Sequence, residues 1–224
     1  MSSPVKSTVN IPSQTGDTQS PTFAWLEKNQ KPVTYGLVAL AVVVLGGWLF
    51  LETGKRKEIA ANDAIDRARG AFESGNLPAA STEFQRIAES FRGTDAGWQA
   101  ELALNEVRLA SGQAQLAADE LKKLAERNPP VFYASGAQFM LGGALENLKK
   151  FEEAAAAYTR AADQATEDYR QIEGRIGAAR ALRLAGKQPE ALDILRAVIA
   201  KYPKDTPGVA EAEVRLAEWT AGSM

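Results

Sequence analysis

Small and large apolar positions return along most of this chain at a fixed step. Ala80, Ala117, Ala154 and Ala191 are 37 residues apart, and so are Phe84, Leu121, Tyr158 and Leu195. The turn-forming series Gly75, Gly112, Lys149 and Gly186 keeps the same step. A period between roughly 20 and 50 residues marks an array of stacked supersecondary units. Within each period the apolar residues recur at helical spacing, and no run alternates as a strand would. The third period is the most legible. It predicts one helix over about Ala134–Leu148, marked by Leu141, Gly142 and Leu145. A second follows over about Glu152–Asp163, marked by Phe151, Ala154, Tyr158 and Ala161.

The other periods repeat this design. The fourth carries Ala179, Leu182, Gly186, Ala191, Leu195, Val198 and Pro203. The second carries Gly112, Ala117, Leu121, Leu124 and Pro129, with Asn105 at the small position of its first helix. The first carries Ala68, Gly75, Ala80, Phe84 and Ile87, with Arg92 where a closing proline stands elsewhere. Glycine followed by a polar residue at 75–76, 112–113 and 186–187 fits the tight turn of a helical hairpin. A last helix over about Gly208–Ala221 places Val209, Ala212, Leu216 and Trp219 on one stripe, as the cap of an array requires.

These residues at these spacings resemble a tetratricopeptide repeat, in which a small residue on the first helix lets the second pack closely. Ala80, Ala117, Gly142, Ala154, Tyr158 and Ala191 are the packing positions. The usual unit has about 34 residues. The excess is expected in the loops between units, around Arg92–Trp98, Asn128–Phe132 and Thr166–Gln171. The fold class predicted is all-α: a tetratricopeptide-repeat-like α-solenoid of about four hairpins plus a capping helix, over 55–224, behind one N-terminal transmembrane helix.

That helix is Val33–Leu51, 19 residues without a charge. At the helical rise it spans roughly 28 Å, close to the hydrocarbon thickness of a bilayer. Lys28 and Lys31 precede it; Glu52, Lys55, Arg56 and Lys57 follow. Tyr35, Trp48 and Phe50 lie near its ends, where aromatic rings favour the interface. The run is too long for a signal-peptide core and no small-x-small site follows it, so an uncleaved anchor is expected. Helix 58–74 could continue the span, with Gly54 as the expected break. Residues 1–21, rich in Ser, Thr, Pro and Gln, are expected to be disordered. Residues 22–32 form a juxtamembrane segment in which Phe23, Trp25 and Leu26 could lie on the membrane surface, and Pro32 separates them from the span.

First helices line the concave face of a hairpin stack. Stepping by 37 along them gives Ile65, Leu102, Phe139 and Ile176; then Arg69, Glu106, Gly143 and Arg180; then Phe72, Leu109, Glu146 and Arg183. Two readings follow. Either this is a groove, apolar with mixed charge, suited to an extended or helical peptide, or the apolar row is inter-repeat core. The Lys/Asn/Arg clamp by which some tetratricopeptide domains hold chaperone C-termini has no counterpart: its places carry Ile65, Arg69, Ala103, Gly136 and Met140.

Composition narrows the chemistry. The chain has 26 Lys plus Arg against 28 Asp plus Glu, so a broad nucleic-acid footprint is not expected. It has no Cys and no His, which removes disulfides, the usual zinc sites and the commonest neutral-pH acid–base group. Acidic pairs such as Glu152–Glu153, Asp119–Glu120 and Glu167–Asp168 read as solvated surface rather than a catalytic dyad. No catalytic residue, metal or cofactor is expected.

The architecture also resembles the ancillary SecYEG translocon subunit (YfgM-like) family. The local match is Phe23–Leu51, where Lys28, Asn29 and Lys31 lead into a span ending near Gly46-Gly47-Trp48, followed by an Ala-rich helix over Lys57–Ala71. The resemblance implies a single-pass protein of the bacterial inner membrane, N-terminus cytoplasmic, repeat domain periplasmic. It implies a scaffold whose partners are Sec translocon subunits, a membrane-anchored periplasmic chaperone and exported polypeptides, with the lipid bilayer met through 33–51. Two basic residues before the span against five within 20 residues after it favour the opposite orientation. A cytosol-facing tetratricopeptide receptor therefore stays open. So does another envelope scaffold, in cell division or outer-membrane assembly.

Overall fold

The computed structural model describes residues 30–221, with side chains described for 31–32, 34–48 and 60–221. Nine helices occur among them: α1 (Gln30–Glu73), α2 (Leu77–Ser90), α3 (Asp95–Ala110), α4 (Ala114–Glu126), α5 (Val131–Asn147), α6 (Phe151–Gln164), α7 (Asp168–Leu184), α8 (Gln188–Lys201) and α9 (Val209–Ala221). No strand occurs among the described residues. The chain divides into two units between Arg56 and Lys57. The tail expected at 1–21 and the juxtamembrane positions 22–29 lie outside the described residues.

In the first unit every described side chain from Thr34 to Trp48 is exposed. Leu37, Val38, Leu40, Val42, Val43, Val44 and Leu45 are among them, so the stretch from Tyr35 to Trp48 is apolar all round with no described side chain buried. Among the described residues no helix is long and apolar enough to cross a membrane. Val33 and 49–51, which complete the run expected to span, have no described side chains. The break expected at Gly54 is absent: α1 is helical through that position. Pro32 falls in the first turn of α1, where its missing N–H costs no hydrogen bond.

The second unit is a stack of hairpins. Consecutive helices from α2 to α9 pack in chain order, and the first helices α3, α5 and α7 also touch one another. Its buried residues fall into three clusters strung along the stack. The terminal stretch of α1 joins α2 and α3 through Ala61, Ala64, Ile65 and Ala68. The helix α9 closes the other end with Val209, Ala212 and Trp219. Ala80, Ala117, Ala154 and Ala191 are each 0 % exposed, which lets each second helix sit directly on its neighbours.

Four turns close the hairpins with one geometry. The residue after each first helix's cap donates its N–H to Phe72, Leu109, Glu146 or Arg183, three positions back. The next N–H reaches five back, to Ala71, Arg108, Leu145 or Leu182. This paired bond satisfies the last carbonyls of a helix and needs a left-handed residue. Gly75, Gly112 and Gly186 supply it at φ 78°, 75° and 80°; in the third hairpin Lys149 is held there at φ 58°.

Links between units are shorter than the sequence suggested. They cover 91–94, 127–130 and 165–167. Most of the stretches expected as loops are the first turns of α3, α5 and α7, started by caps that the loop reading overlooked. Thr94 accepts the Gly97 N–H, and Pro130 precedes α5.

Candidate functional site

The centre of the second unit is an interlock around Tyr158, which is 2 % exposed. Its ring lies between two glycines on flanking helices. A Cβ on Gly142 of α5 would stand 2.7 Å from the ring, and one on Gly177 of α7 2.8 Å. One turn away, a Cβ on Gly174 would stand 2.9 Å from the Tyr158 carbonyl oxygen. The backbones of α6 and α7 are therefore nearly in contact. Phe139 meets the same ring edge-on, with centroids 5.1 Å apart.

The hydroxyl of Tyr158 emerges beside a fork of charge. Arg180 donates from Nε to Glu146 Oε1 at 3.0 Å and from a terminal nitrogen to Glu146 Oε2 at 2.9 Å. The same guanidinium donates to the Tyr158 hydroxyl at 3.0 Å. Burial, then the Glu146 charge, pushes the Tyr158 pKa up to about 12, against the opposing pull of Arg180. The hydrogen bonds to Glu146 raise the pKa of Arg180 in turn. Planar, bidentate pairing of this kind is the strong form of a salt bridge. It ties α5 to α7 and leaves Arg180 already engaged.

On the open side of this wall two cavities adjoin. One, of about 280 Å³, is lined by Leu102, Phe132, Gly136, Met140, Tyr169 and Phe139. The other, of about 380 Å³, runs past Ile176, Gly177 and Arg180 to Pro207, Gly208 and Glu211. Phe139, Tyr169 and Glu173 belong to both. The result is one trough along α3, α5, α7 and the start of α9. Phe132 and Tyr169 stand exposed on its rim. Arg170 braces them, with its guanidinium 4.1 Å from the Phe132 ring centroid and Nε donating to the Tyr169 hydroxyl at 3.0 Å. Apolar surface held open by braced aromatic and arginine groups is how protein-binding patches are built.

A model of the tetratricopeptide repeat-like domain matches residues 24–130 and 56–180, and a tetratricopeptide repeat model matches 176–205. The chain belongs to the tetratricopeptide repeat-like family. Its repeats make it a protein–protein interaction scaffold. Among solved structures it is similar to nearly identical TPR-like repeats from a Podosopora anserina protein. That match has 16 % identity and TM-score 0.60, over 72 % of this chain and 85 % of the other. It is also similar to MamA from Desulfovibrio magneticus, at 18 % identity and TM-score 0.51, over 62 % and 74 %. Both likenesses concern the fold. No characterised protein sequence matches the chain.

The positions read from the sequence as a groove divide four ways. Leu102, Phe139, Ile176 and Arg180 line the trough. Phe72 and Leu109 are half-buried against neighbouring clusters, and Glu146 serves Arg180. Arg69 and Glu106 are exposed, and Arg183 lies 4.8 Å from the Trp219 ring centroid. Ile65, at 2 %, is core rather than groove, because α2 and α3 close over it. Ile176, at 4 %, is mostly core too. Sequence reasoning missed Phe132, Tyr169 and Glu173. The signal was present, since Phe132 and Tyr169 are themselves one repeat apart, but both had been read as loop.

A third cavity, of about 380 Å³, lies between α2, α3 and α4. Charged groups line it, and Glu101–Arg127 and Glu120–Lys123 pair across or beside it. Among the described residues no group of Asp and Glu is placed to hold a metal ion.

Proposed function

We propose that this chain is a membrane-anchored, periplasmic protein-binding scaffold, an ancillary subunit of the Sec translocon that links it to periplasmic chaperones and emerging clients. The observation that carries the binding part is the trough on α5 and α7. It is open and largely apolar, and its Arg180 is neutralised from within by Glu146. Extended polypeptide fits such a surface, with side chains entering pockets while its backbone stays partly solvated. Anchoring is supported by the helix segment that exposes apolar groups on every side from Tyr35 to Trp48, an arrangement water disfavours and lipid accepts. The translocon role is supported by the resemblance of residues 23–51 and by mechanism. Confinement near a channel exit raises effective concentration, so a weak trough still engages its clients.

Two experiments test this. A C-terminal reporter active in only one compartment should be active on the periplasmic side; activity in the cytosol overturns the orientation and favours the receptor that the basic-residue count suggests. Photo-crosslinking from position 140 should recover translocon subunits. Recovery of cell-division or outer-membrane-assembly components without them overturns the translocon assignment.

A further inference from the structure

The two cavities of the trough meet at one carboxylate. Glu173 lines both, is exposed, and has no ion pair or hydrogen bond among the described residues. Of the other charges of the trough, Arg180 is ion-paired with Glu146 and Glu211 with Arg215, and Arg170 keeps its charge while packed on the rim against the Phe132 ring and the Tyr169 hydroxyl. What the trough offers a ligand is therefore an apolar pocket, a free negative charge, and a second apolar pocket.

We propose that the trough selects extended polypeptide segments in which a lysine or arginine stands between apolar side chains, with Glu173 pairing the cation. This rests on the protein-binding reading above and adds the sequence rule. Along an extended segment, side chains leave on alternating sides and long ones reach diagonally. Residues two apart therefore share a face, and a cation with apolar residues two positions before and after it can lie over Glu173 while those residues enter the cavities at Met140 and Ile176. An acidic residue at the same place would meet the like charge of Glu173, and Arg180 beside it is already held by Glu146, so acidic segments are disfavoured. This is opposite in charge to a clamp for a terminal carboxylate, which needs unengaged basic groups. The aliphatic stem of lysine or arginine would also cover Phe139 and Tyr169 beneath it.

The test uses the full chain in detergent micelles and short fluorescein-labelled peptides, read by anisotropy, in which Leu, Lys and Leu, or Leu, Glu and Leu, or Ser, Lys and Ser stand at alternate positions with glycine between them (written Leu-Lys-Leu, Leu-Glu-Leu and Ser-Lys-Ser). The Leu-Lys-Leu peptide should bind roughly fivefold more tightly than Leu-Glu-Leu at low salt, and the gap should narrow as salt rises. Ser-Lys-Ser should bind more weakly than Leu-Lys-Leu. Glu173→Gln should erase the preference, and Glu173→Lys should invert it. Glu173 is exposed, so both variants should keep the parent's helical spectrum. Because the chain has no cysteine, Met140→Cys gives a single labelling site in the trough. Bound Leu-Lys-Leu should protect it. If both leucine peptides bind equally and protect position 140, the cation rule falls and the protein-binding trough stands. If neither binds nor protects, both fall. Concentration-dependent protection without peptide would make a second copy of the chain the occupant and overturn the proposal.

Discussion

The second and third hairpins are built on one template and packed by different means. In the third, a large aromatic on α6 is met by glycine on both sides, at 142 and 177. In the second, the equivalent of Tyr158 is Leu121, and the equivalents of those glycines are Asn105 and Met140. Volume removed from the second helix has been returned on the first helices, which keeps packing dense in both. The polar consequences differ too. Asn105 is 3 % exposed and satisfies itself locally, donating to the Glu101 carbonyl and accepting from Arg108. The third hairpin sends its polar bonds across units, from Arg180 to Glu146. The helix pair with the tighter interlock is the one that walls the trough. A binding surface needs stiff walls to hold its pockets open, and the glycine–tyrosine contact supplies that stiffness.

The largest effect should come from Gly142→Leu. It should cost about 3 kcal/mol, because even a bare Cβ there crowds a ring with no room to retreat. Asn105→Leu in the second hairpin should cost less than about 1.5 kcal/mol, since volume is nearly conserved. Urea unfolding followed by circular dichroism decides it, and equal costs would mean the two hairpins are packed alike. Adding Tyr158→Leu to Gly142→Leu should recover at least about 1 kcal/mol, since the residues touch and their effects couple.

Next comes Glu146→Ala. It strands the half-buried Arg180 guanidinium and should lower stability by about 1 kcal/mol, at the low end for a charged hydrogen bond because Arg180 is partly solvated. The second hairpin has Leu109 at that place, and Leu109→Ala should show no comparable salt dependence. Smaller still is Lys149→Gly. Releasing a non-glycine residue from φ 58° should stabilise the third hairpin by about 0.5–1 kcal/mol, and Gly112→Ala should destabilise the second by at least as much. Opposite signs in thermal unfolding would sharpen the likeness of the turns; the same sign would break it.

The finest distinction is in alkaline pH. Tyr158 titrates near 12 when folded, above its ordinary value near 10. The folded state therefore holds a proton that the unfolded state loses, so this contribution is complete below about 10 and declines as pH rises towards 12. Stability of the parent should fall more steeply across that window than that of Tyr158→Phe. Parallel slopes would mean that the ring's hydroxyl is not shielded as described.

Much of the architecture was legible because it is periodic. The third hairpin, expected over 134–148 and 152–163, occupies Val131–Asn147 and Phe151–Gln164, and the cap expected from Gly208 is α9 from Val209. Gly142 facing Tyr158 could be read because a small residue one helix before a large one has few other uses. Gly177 as the second glycine could not, because it sits 19 residues beyond Tyr158 on the next unit. The errors cluster where helices start. Phe132 and Tyr169 lie in first turns, where capping rather than apolar period marks the helix, so the rim of the trough was read as loop.

Repetition at a 37-residue step was enough to set the number of hairpins, their turns and their cap. Helix and turn formation depend on neighbours within a few positions, and stacking copies of one unit leaves a single way to bury each apolar stripe. Which surface stayed open was decided only in three dimensions. Ile65 and Leu102 hold equivalent places in the repeat, yet one is sealed and the other lines a cavity. Arg180 is quiet only because Glu146, 34 residues away, reaches it. Exposure and charge pairing belong to whatever packs alongside, and no local pattern of residues carries that information.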